Sequence, residues 1–478
     1  MNNQRLELVA DFYEYTMSNG YLNKNMENQI AYFDVFFRKV PDEGGYAIVA
    51  GLEQIINYIK NLSFDEEDIN YLRKQNKFSE EFLNYLENFR FTGDVWAIPE
   101  GTVVFPNEPL ITVRAPIIQA QLLETMLLLT TNHQSLIATK TSRIVKEAQG
   151  RPVMEFGARR AHGINAAVEG ARAAIIGGAI GTSCTLSAKE FNVPASGTMA
   201  HSWVQSFDSE YEAFKAYAEI YPDDCTLLID TYNTIESGLP NAIKVFNEVL
   251  KPKGYKPKAV RLDSGDLAYL SKKVRKILDE AGYTECKICA TNSLDEYLIK
   301  SLIEQDAKID SFGVGENLIT AKSEPVFGGV YKLVGIEKDT KIIPKIKVSE
   351  NVVKVTNPGF KKVYRFYDNE TQKAIADVIA LSDEIIDERE YMIFDPQNPW
   401  KKKLIKDYTI RELQEKIFEN GKLIYKSPTL KEIAKKSKKE LNSMWEEVKR
   451  IENPHKYYVD LSKKLWILKN NMLNNIYF

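Results

Sequence analysis

Cysteine and histidine are both scarce, with four of each among 478 residues. So few cysteines exclude a disulfide framework and suit a reducing compartment. Cys286 and Cys289 form a CxxC pair, which leaves a redox motif open, but no second pair or Cys/His cluster supplies the further ligands that a zinc site needs. The pair lies on a strand-like run, where buried structural thiols are the better expectation. An excess of one charge is also lacking. Lys and Arg total 63 against 66 Asp and Glu, a net charge of -3 that gives no drive toward nucleic acid or anionic membrane. No window approaches the about 18–20 apolar residues that a membrane span needs. The opening MNNQRLELVADFYEY carries acids and no apolar core of signal-peptide length. The expected location is therefore the cytoplasm. Internal repeats, low-complexity tracts and long linkers are absent as well.

What is present suits a globular chain of two or three domains with a large core. Hydrophobic residues make up 44% and charged residues 27%. Lys431, Lys435, Lys436, Lys438, Lys439 and Lys449 crowd one stretch, but Glu432, Glu440, Glu446 and Glu447 offset them, which reads as a solvated helix face.

Residues 1–150 read as an α+β domain. It has a strand at Ile30–Phe37, helical patterns over 44–59 and 65–87, short strands and turns over 91–113, and one or two helices over 120–150. A different rhythm runs through 151–330. Strands are expected at 152–156, 226–229, 259–262, 287–290 and 309–312, with short candidates at 181–186 and 197–200. Helices are expected over 163–176, 238–250, 267–281 and 294–305. Repeated βα spacing argues for a parallel sheet with crossover helices. Polar residues or glycine follow successive strands: Asp230, Asp263, Thr291-Asn292 and Gly313. In α/β barrels that end carries the active site, whereas plain helix capping would explain only one or two of them. Residues 331–430 look β-rich, with strands at 330–336, 352–356, 363–367 and 374–380, and are expected to complete the N-terminal domain and barrel. Residues 431–478 form a helical C-terminal extension.

Four clusters carry chemistry. Glu155-Phe156-Gly157-Ala158-Arg159-Arg160-Ala161-His162-Gly163 puts two guanidinium forks near a helix start, an anion-binding arrangement with an aromatic ring beside it. Pro194–Ser202 surrounds His201 with small residues that allow close approach by a ligand. Val260-Arg261-Leu262-Asp263-Ser264-Gly265-Asp266 suits a phosphorylated sugar and its metal, Arg for phosphate and Asp for hydroxyls or magnesium. Phe312-Gly313-Val314-Gly315 can offer backbone N–H groups to a phosphate. Each has a plainer reading as a surface loop, a packed histidine, a cap or a tight turn. Together they suit an enzyme acting on an anionic, phosphate-bearing substrate, and the residues alone name neither pyridine nor ribose.

Over nearly its whole length the chain resembles nicotinate phosphoribosyltransferases. The matching segments are Asp11-Phe12-Tyr13, EFGARRAHG, GTSCTLSAKEFNVPASGTMAHS, LLIDTYNT, VRLDSGDL, ICATNSLDE, GVGENLITAKSEPVFGGVYKLV and the tail NPHKYYVDLSKKLW. The resemblance implies an irregular TIM-like α/β barrel of the type II phosphoribosyltransferase kind with an added α+β domain. It implies a homodimer with active sites at the subunit interface, and nicotinate, 5-phosphoribosyl 1-diphosphate and ATP as reactants. Tyr13 and Phe156 would sandwich the pyridine. Arg159 and Thr198 would lie near it, and Arg261 would face its carboxylate or the ribosyl phosphate. Asp230 and Asp263 would hold ribose hydroxyls and water around Mg2+, whose protein ligands stay unassigned. Gly313, Gly315 and Thr320 would approach the 5-phosphate, Asn292 belongs to the substrate-binding set, and His201 matches the histidine that ATP phosphorylates. Ser183 stands where the nicotinamide-using relatives carry Asp, which speaks for the acid as substrate. Two alternatives stay open: a nicotinamide phosphoribosyltransferase, and a non-catalytic barrel that binds phosphosugars.

Overall fold

Apolar runs of three to five residues, punctuated by Asp, Gly and Asn, recur through the middle of the chain. In the computed structural model, which describes residues 6–350 and 354–475, they form a five-stranded parallel sheet. Its order is Val153–Glu155, Ser311–Val314, Lys287–Ala290, Ala259–Leu262, Thr226–Leu228. These strands are buried at nearly every position, as parallel strands covered on both faces must be. Beyond Glu155 the sheet continues through two single parallel bridges, Glu155 to Thr182 and Thr182 to Ala195. The chain divides into two compact units, one of residues 137–325 that contains this sheet, the other of residues 1–136 and 326–478.

The helices of the parallel unit begin at caps legible in the sequence. Asp266 accepts from Tyr269 N at 3.0 Å, and Asp295 accepts from Leu298 N at 2.8 Å. Asn233 caps a π-helical turn, Thr234–Gly238, through Ile235 N and Glu236 N. That turn presses on the strand before it: a Cβ added to Gly238 would lie 1.8 Å from Ile229 O. The π-helical geometry recurs at Phe246–Leu250, so the helix expected over 238–250 is α-helical only at Leu239–Val245.

In the other unit Ile30–Phe37 lies inside a seven-stranded antiparallel sheet between Gly329–Lys338 and Ile111–Pro116. A four-stranded sheet joins Tyr408–Glu412, Lys361–Asp368, Ala374–Leu381 and Val459–Leu461, the last pair parallel. Between these strands lies a buried charge cluster. Arg365 donates twice to Asp377, at 2.8 and 2.6 Å, and to Glu440 at 3.2 Å, while Tyr457 Oη donates to Asp377 at 3.0 Å. Burial and the neighbouring Asp377 push the Glu108 carboxyl well above the usual carboxylate range. Glu14, fully buried, accepts from the backbone N–H of Asp11 and of Thr125, both at 3.2 Å, and from the Thr125 hydroxyl. It thereby joins the start of helix Phe12–Asn23 to that of helix Glu124–Glu147.

Several expected elements differ. The run 197–200 is not a strand; the Met199 carbonyl accepts from Arg261 instead of from a neighbouring strand. The 181–186 run contributes two isolated bridges, both at Thr182, and then enters helix Thr185–Phe191. The helical pattern at 65–87 breaks into Glu66–Lys74 and Glu80–Glu87, with Asn76 left-handed at φ 53° and Ser79 capping the second. The pattern at 44–59 becomes a short strand, Ala47–Ile48, and a helix that starts at Leu52. Of the strand expected at 352–356, residues 352 and 353 fall outside the described residues, and 354–356 form no strand. The hairpin of Glu390–Phe394 with Lys402–Lys406, and the strand within the tail, have no counterpart among the expected elements.

Candidate active site

The carboxyl ends of the parallel strands gather most of the expected residues. Asp230 and Asp263 are not caps. Asp230 Oδ2 accepts from Asp263 N at 2.8 Å and from Ser264 Oγ at 2.6 Å, which ties two neighbouring strand ends together. Asp263 Oδ1 accepts from Thr291 Oγ1, the first residue past the next strand. The carboxylates at helix starts and those facing this end of the sheet are thus different residues, and the capping and active-site readings separate cleanly.

His201, the first residue of a short helix, points both ring nitrogens at side-chain oxygens. Nδ1 lies 3.1 Å from Thr231 Oγ1 and Nε2 lies 3.6 Å from Asp263 Oδ2. Arg261 donates to Thr198 Oγ1 at 2.7 Å and to Met199 O at 2.8 Å, drawing the 198–199 loop to the strand 259–262. Two buried polar atoms here, Asp230 Oδ1 and Arg261 Nε, have no hydrogen-bond partner among the described residues. Such atoms are costly unless something meets them, and they are one acceptor and one cationic donor.

Phe156, at the end of Val153–Glu155, lies over Gly313. A Cβ on Gly313 would come 2.5 Å from Phe156 Cδ2 and 2.7 Å from Thr291 Cγ2, so glycine there makes room for the ring. A Cβ on Gly157 would strike Ile319 at 2.5 Å and Gly315 O at 2.7 Å. The Thr320 hydroxyl donates to Glu316 O at 2.8 Å and is spent on its own helix. Arg159 is exposed on the single turn Ala158–Arg160. Asn292 is exposed with left-handed backbone, φ 86°, followed by Ser293 at 51°. Ser183 is exposed, its N–H donating to Glu155 O at 2.8 Å. Tyr13 lies in the other unit, 44% exposed on helix Phe12–Asn23, its phenol proton held tightly by partial burial and by Glu124.

Sequence reasoning missed Thr231, Ser264 and Thr291 as partners of the charged residues. Each directly follows an Asp or a strand end, which is the only signal it leaves in the sequence. Glu155 opens the EFGARRAHG motif without a role of its own there. Cys286 and Cys289 are buried and unpaired, and burial pushes the Cys286 thiol up to about 12. Among the described residues no group of three or more His, Cys, Asp or Glu is placed to hold a metal, and no helix is long and apolar enough to cross a membrane.

Family models describe the chain in three consecutive parts: nicotinate phosphoribosyltransferase N-terminal domain over residues 8–132, family domain over 152–375 and C-terminal domain over 360–469. The nicotinate phosphoribosyltransferase of Bacillus subtilis is 45% identical over 472 residues, 98% of this chain and 96% of the relative. The solved structure of human nicotinic acid phosphoribosyltransferase matches with a TM-score of 0.86 at 26% identity, covering 97% of this chain and 99% of the other. A nicotinate-nucleotide pyrophosphorylase structure from Pyrococcus furiosus, 24% identical, shares the fold with a TM-score of 0.71 over 93% and 97% of the two chains.

Proposed function

Since the chain belongs to the nicotinate phosphoribosyltransferase family and is an enzyme of that activity, we propose that it couples the transfer to ATP through phosphorylation of His201. Nicotinate and 5-phosphoribosyl 1-diphosphate give nicotinate mononucleotide and pyrophosphate. The bond from the anomeric carbon to the diphosphate oxygen breaks, its electrons leave with pyrophosphate, and the pyridine nitrogen lone pair forms the new bond. That nitrogen carries no proton, so no general base is needed, and catalysis is positioning and electrostatics. Arg261 offers its free Nε to an anionic oxygen while its other nitrogens stay anchored on Thr198 and Met199. Phe156, seated on Gly313, presents a flat face to the pyridine, and Tyr13 of one protomer completes the site of its partner in a homodimer.

Asp230 fits a role beside magnesium. Its Oδ1 is buried and unmet, and magnesium is held by one or two carboxylates with water and substrate oxygens completing its shell. When bound, the ion neutralises charge on the departing diphosphate. The residues around the parallel sheet also support an irregular barrel. Arg261, on the strand next to one edge, reaches Thr198 and Met199, which follow the last bridge at the opposite edge. Unpaired cysteines suit a cytoplasmic enzyme.

The observation that carries the ATP coupling is the placement of His201. The ring nitrogen that carries the lone pair attacks the terminal phosphorus of ATP, and the N–P bond forms as the bond to the ADP oxygen breaks. The other ring nitrogen releases its proton to solvent, and water later cleaves the N–P bond to release phosphate. Asp263 and Thr231 hold the ring in place for both steps. The test measures product from nicotinate and from nicotinamide, each with 5-phosphoribosyl 1-diphosphate, with and without ATP. Nicotinate turnover stimulated by ATP, with phosphate released in step, is expected; turnover indifferent to ATP would overturn the coupling. The amide-using alternative is disfavoured by Ser183, which brings no carboxylate to accept from an amide N–H.

A further inference from the structure

Glu155 is a fully buried carboxylate that the transfer chemistry does not use. No cation pairs with it among the described residues. Among the described residues its carboxylate meets two donors: the backbone N–H of Gly157 meets Oε1, and Thr182 Oγ1 donates to Oε2 at 2.6 Å. Burying a carboxylate without a counter-charge is unfavourable, so a fold that keeps one uses what only that group supplies, here two acceptors on one planar fork. The backbone of the same residue adds two bonds. Glu155 N–H donates to Gly181 O at 2.9 Å, and Glu155 O accepts from Ser183 N at 2.8 Å. Thr182 Oγ1 in turn accepts from Cys184 N at 3.0 Å. One residue therefore clasps the turn that carries Phe156 to the turn that carries Ser183, although 27 residues separate them in the chain. Opposite the clasp, Phe156 N–H donates to Val314 O at 2.8 Å and its ring covers Gly313, so the ring is fixed from the other side.

We infer that Glu155 is a positioning residue for substrate choice: its carboxylate sets the distance between the Phe156 ring and Ser183, and through it the preference for an acid over an amide on the pyridine. The inference rests on the proposed roles of Phe156 and Ser183. Loss of the fork lets the 181–184 turn drift from the ring. A general weakening of the fold would lower turnover of both substrates alike, whereas loosening of this spacing raises KM for nicotinate and narrows the ratio of kcat/KM between nicotinate and nicotinamide.

The experiment compares Glu155→Ala, Glu155→Gln and Thr182→Val with the unmodified enzyme for both substrates. Gln keeps one acceptor for Gly157 and reaches the Thr182 oxygen, and Val keeps the shape of Thr while removing its donor. Glu155→Ala and Thr182→Val should each raise nicotinate KM and compress the acid-to-amide ratio by about five- to tenfold, the effect of one or two lost hydrogen bonds. Glu155→Gln should recover most of the ratio. If Glu155→Ala fails to fold, Thr182→Val alone decides. An unchanged ratio in Thr182→Val, or Glu155→Gln as impaired as Glu155→Ala, would overturn the inference. Ser183→Asp measured alongside separates the two failures: if it leaves the ratio untouched, the role of Ser183 is wrong, and if it moves the ratio while Thr182→Val does not, the clasp is wrong.

Discussion

Both ring nitrogens of His201 face side-chain oxygens rather than backbone, so its chemistry can be removed without unpicking secondary structure. His201→Ala should abolish ATP hydrolysis and ATP stimulation while leaving some ATP-independent synthesis, read by phosphate release alongside nucleotide formation. Undiminished, stoichiometric phosphate release from the variant would place the phosphoryl acceptor elsewhere. Ser183→Asp should lower kcat/KM for nicotinate by on the order of tenfold relative to nicotinamide, because a carboxylate repels the acid and accepts from the amide. Parallel losses for both substrates would mean that Ser183 does not face the pyridine substituent. The sequence showed these residues as types in a pattern. It could not show that Thr231 and Thr291 complete their surroundings, because a threonine after a strand carries no signal of which neighbouring strand it will meet.

At the scale of elements, the buried strands at 259–262 and 287–290 were legible to the residue, since an apolar run closed by Asp or Thr-Asn has few other readings. The turns were not. Backbone at 197–200 looks strand-like until Arg261 takes up its carbonyl, and a bulged π-turn after Asp230 has the composition of an ordinary helix start. That turn makes a sharp prediction. Alanine favours a helix over glycine by ~1 kcal/mol, yet at Gly238 its Cβ would collide with Ile229 O, one residue before Asp230. Gly238→Ala should therefore lower both melting temperature and kcat/KM, and a stabilised, fully active variant would contradict this geometry. Glu14 gives the helix junction a pH dependence. Burial pushes its carboxyl up to about 7. The folded state then holds a proton that the unfolded chain releases near pH 4.5, so stability falls as pH rises from there through about 7 and levels off above. Glu14→Gln should flatten that slope in melting temperatures measured between pH 5 and 8, and an unaltered slope would assign it to other groups.

At the scale of the whole molecule, the Arg365 cluster joins residues far apart in the chain. Arg365→Leu leaves Asp377 buried without its cation and should cost ~3–5 kcal/mol in denaturant unfolding, against ~1 kcal/mol for Tyr457→Phe. Similar costs for the two would mean that the cluster is not organised around the guanidinium. The proposed dimer is testable by complementation: mixing impaired Tyr13→Ala and Arg261→Ala chains should restore activity through hybrid sites, and no recovery in verified hybrids would argue against sharing. The pairing of Ile30–Phe37 with Gly329–Lys338, and of Ala374–Leu381 with Val459–Leu461, also has a bearing on synthesis. A ribosome adding ~5–20 residues per second emits that first apolar strand on the order of tens of seconds before Gly329–Lys338 exists, although its other neighbour, Ile111–Pro116, follows much sooner. The compact unit that holds the parallel sheet is drawn from residues 137–325 and is fully synthesised before Gly329–Lys338 emerges. The nascent chain therefore carries an amino-terminal apolar strand with one edge still waiting, and slowed elongation or a scarcity of chaperones should show first as aggregation through that edge.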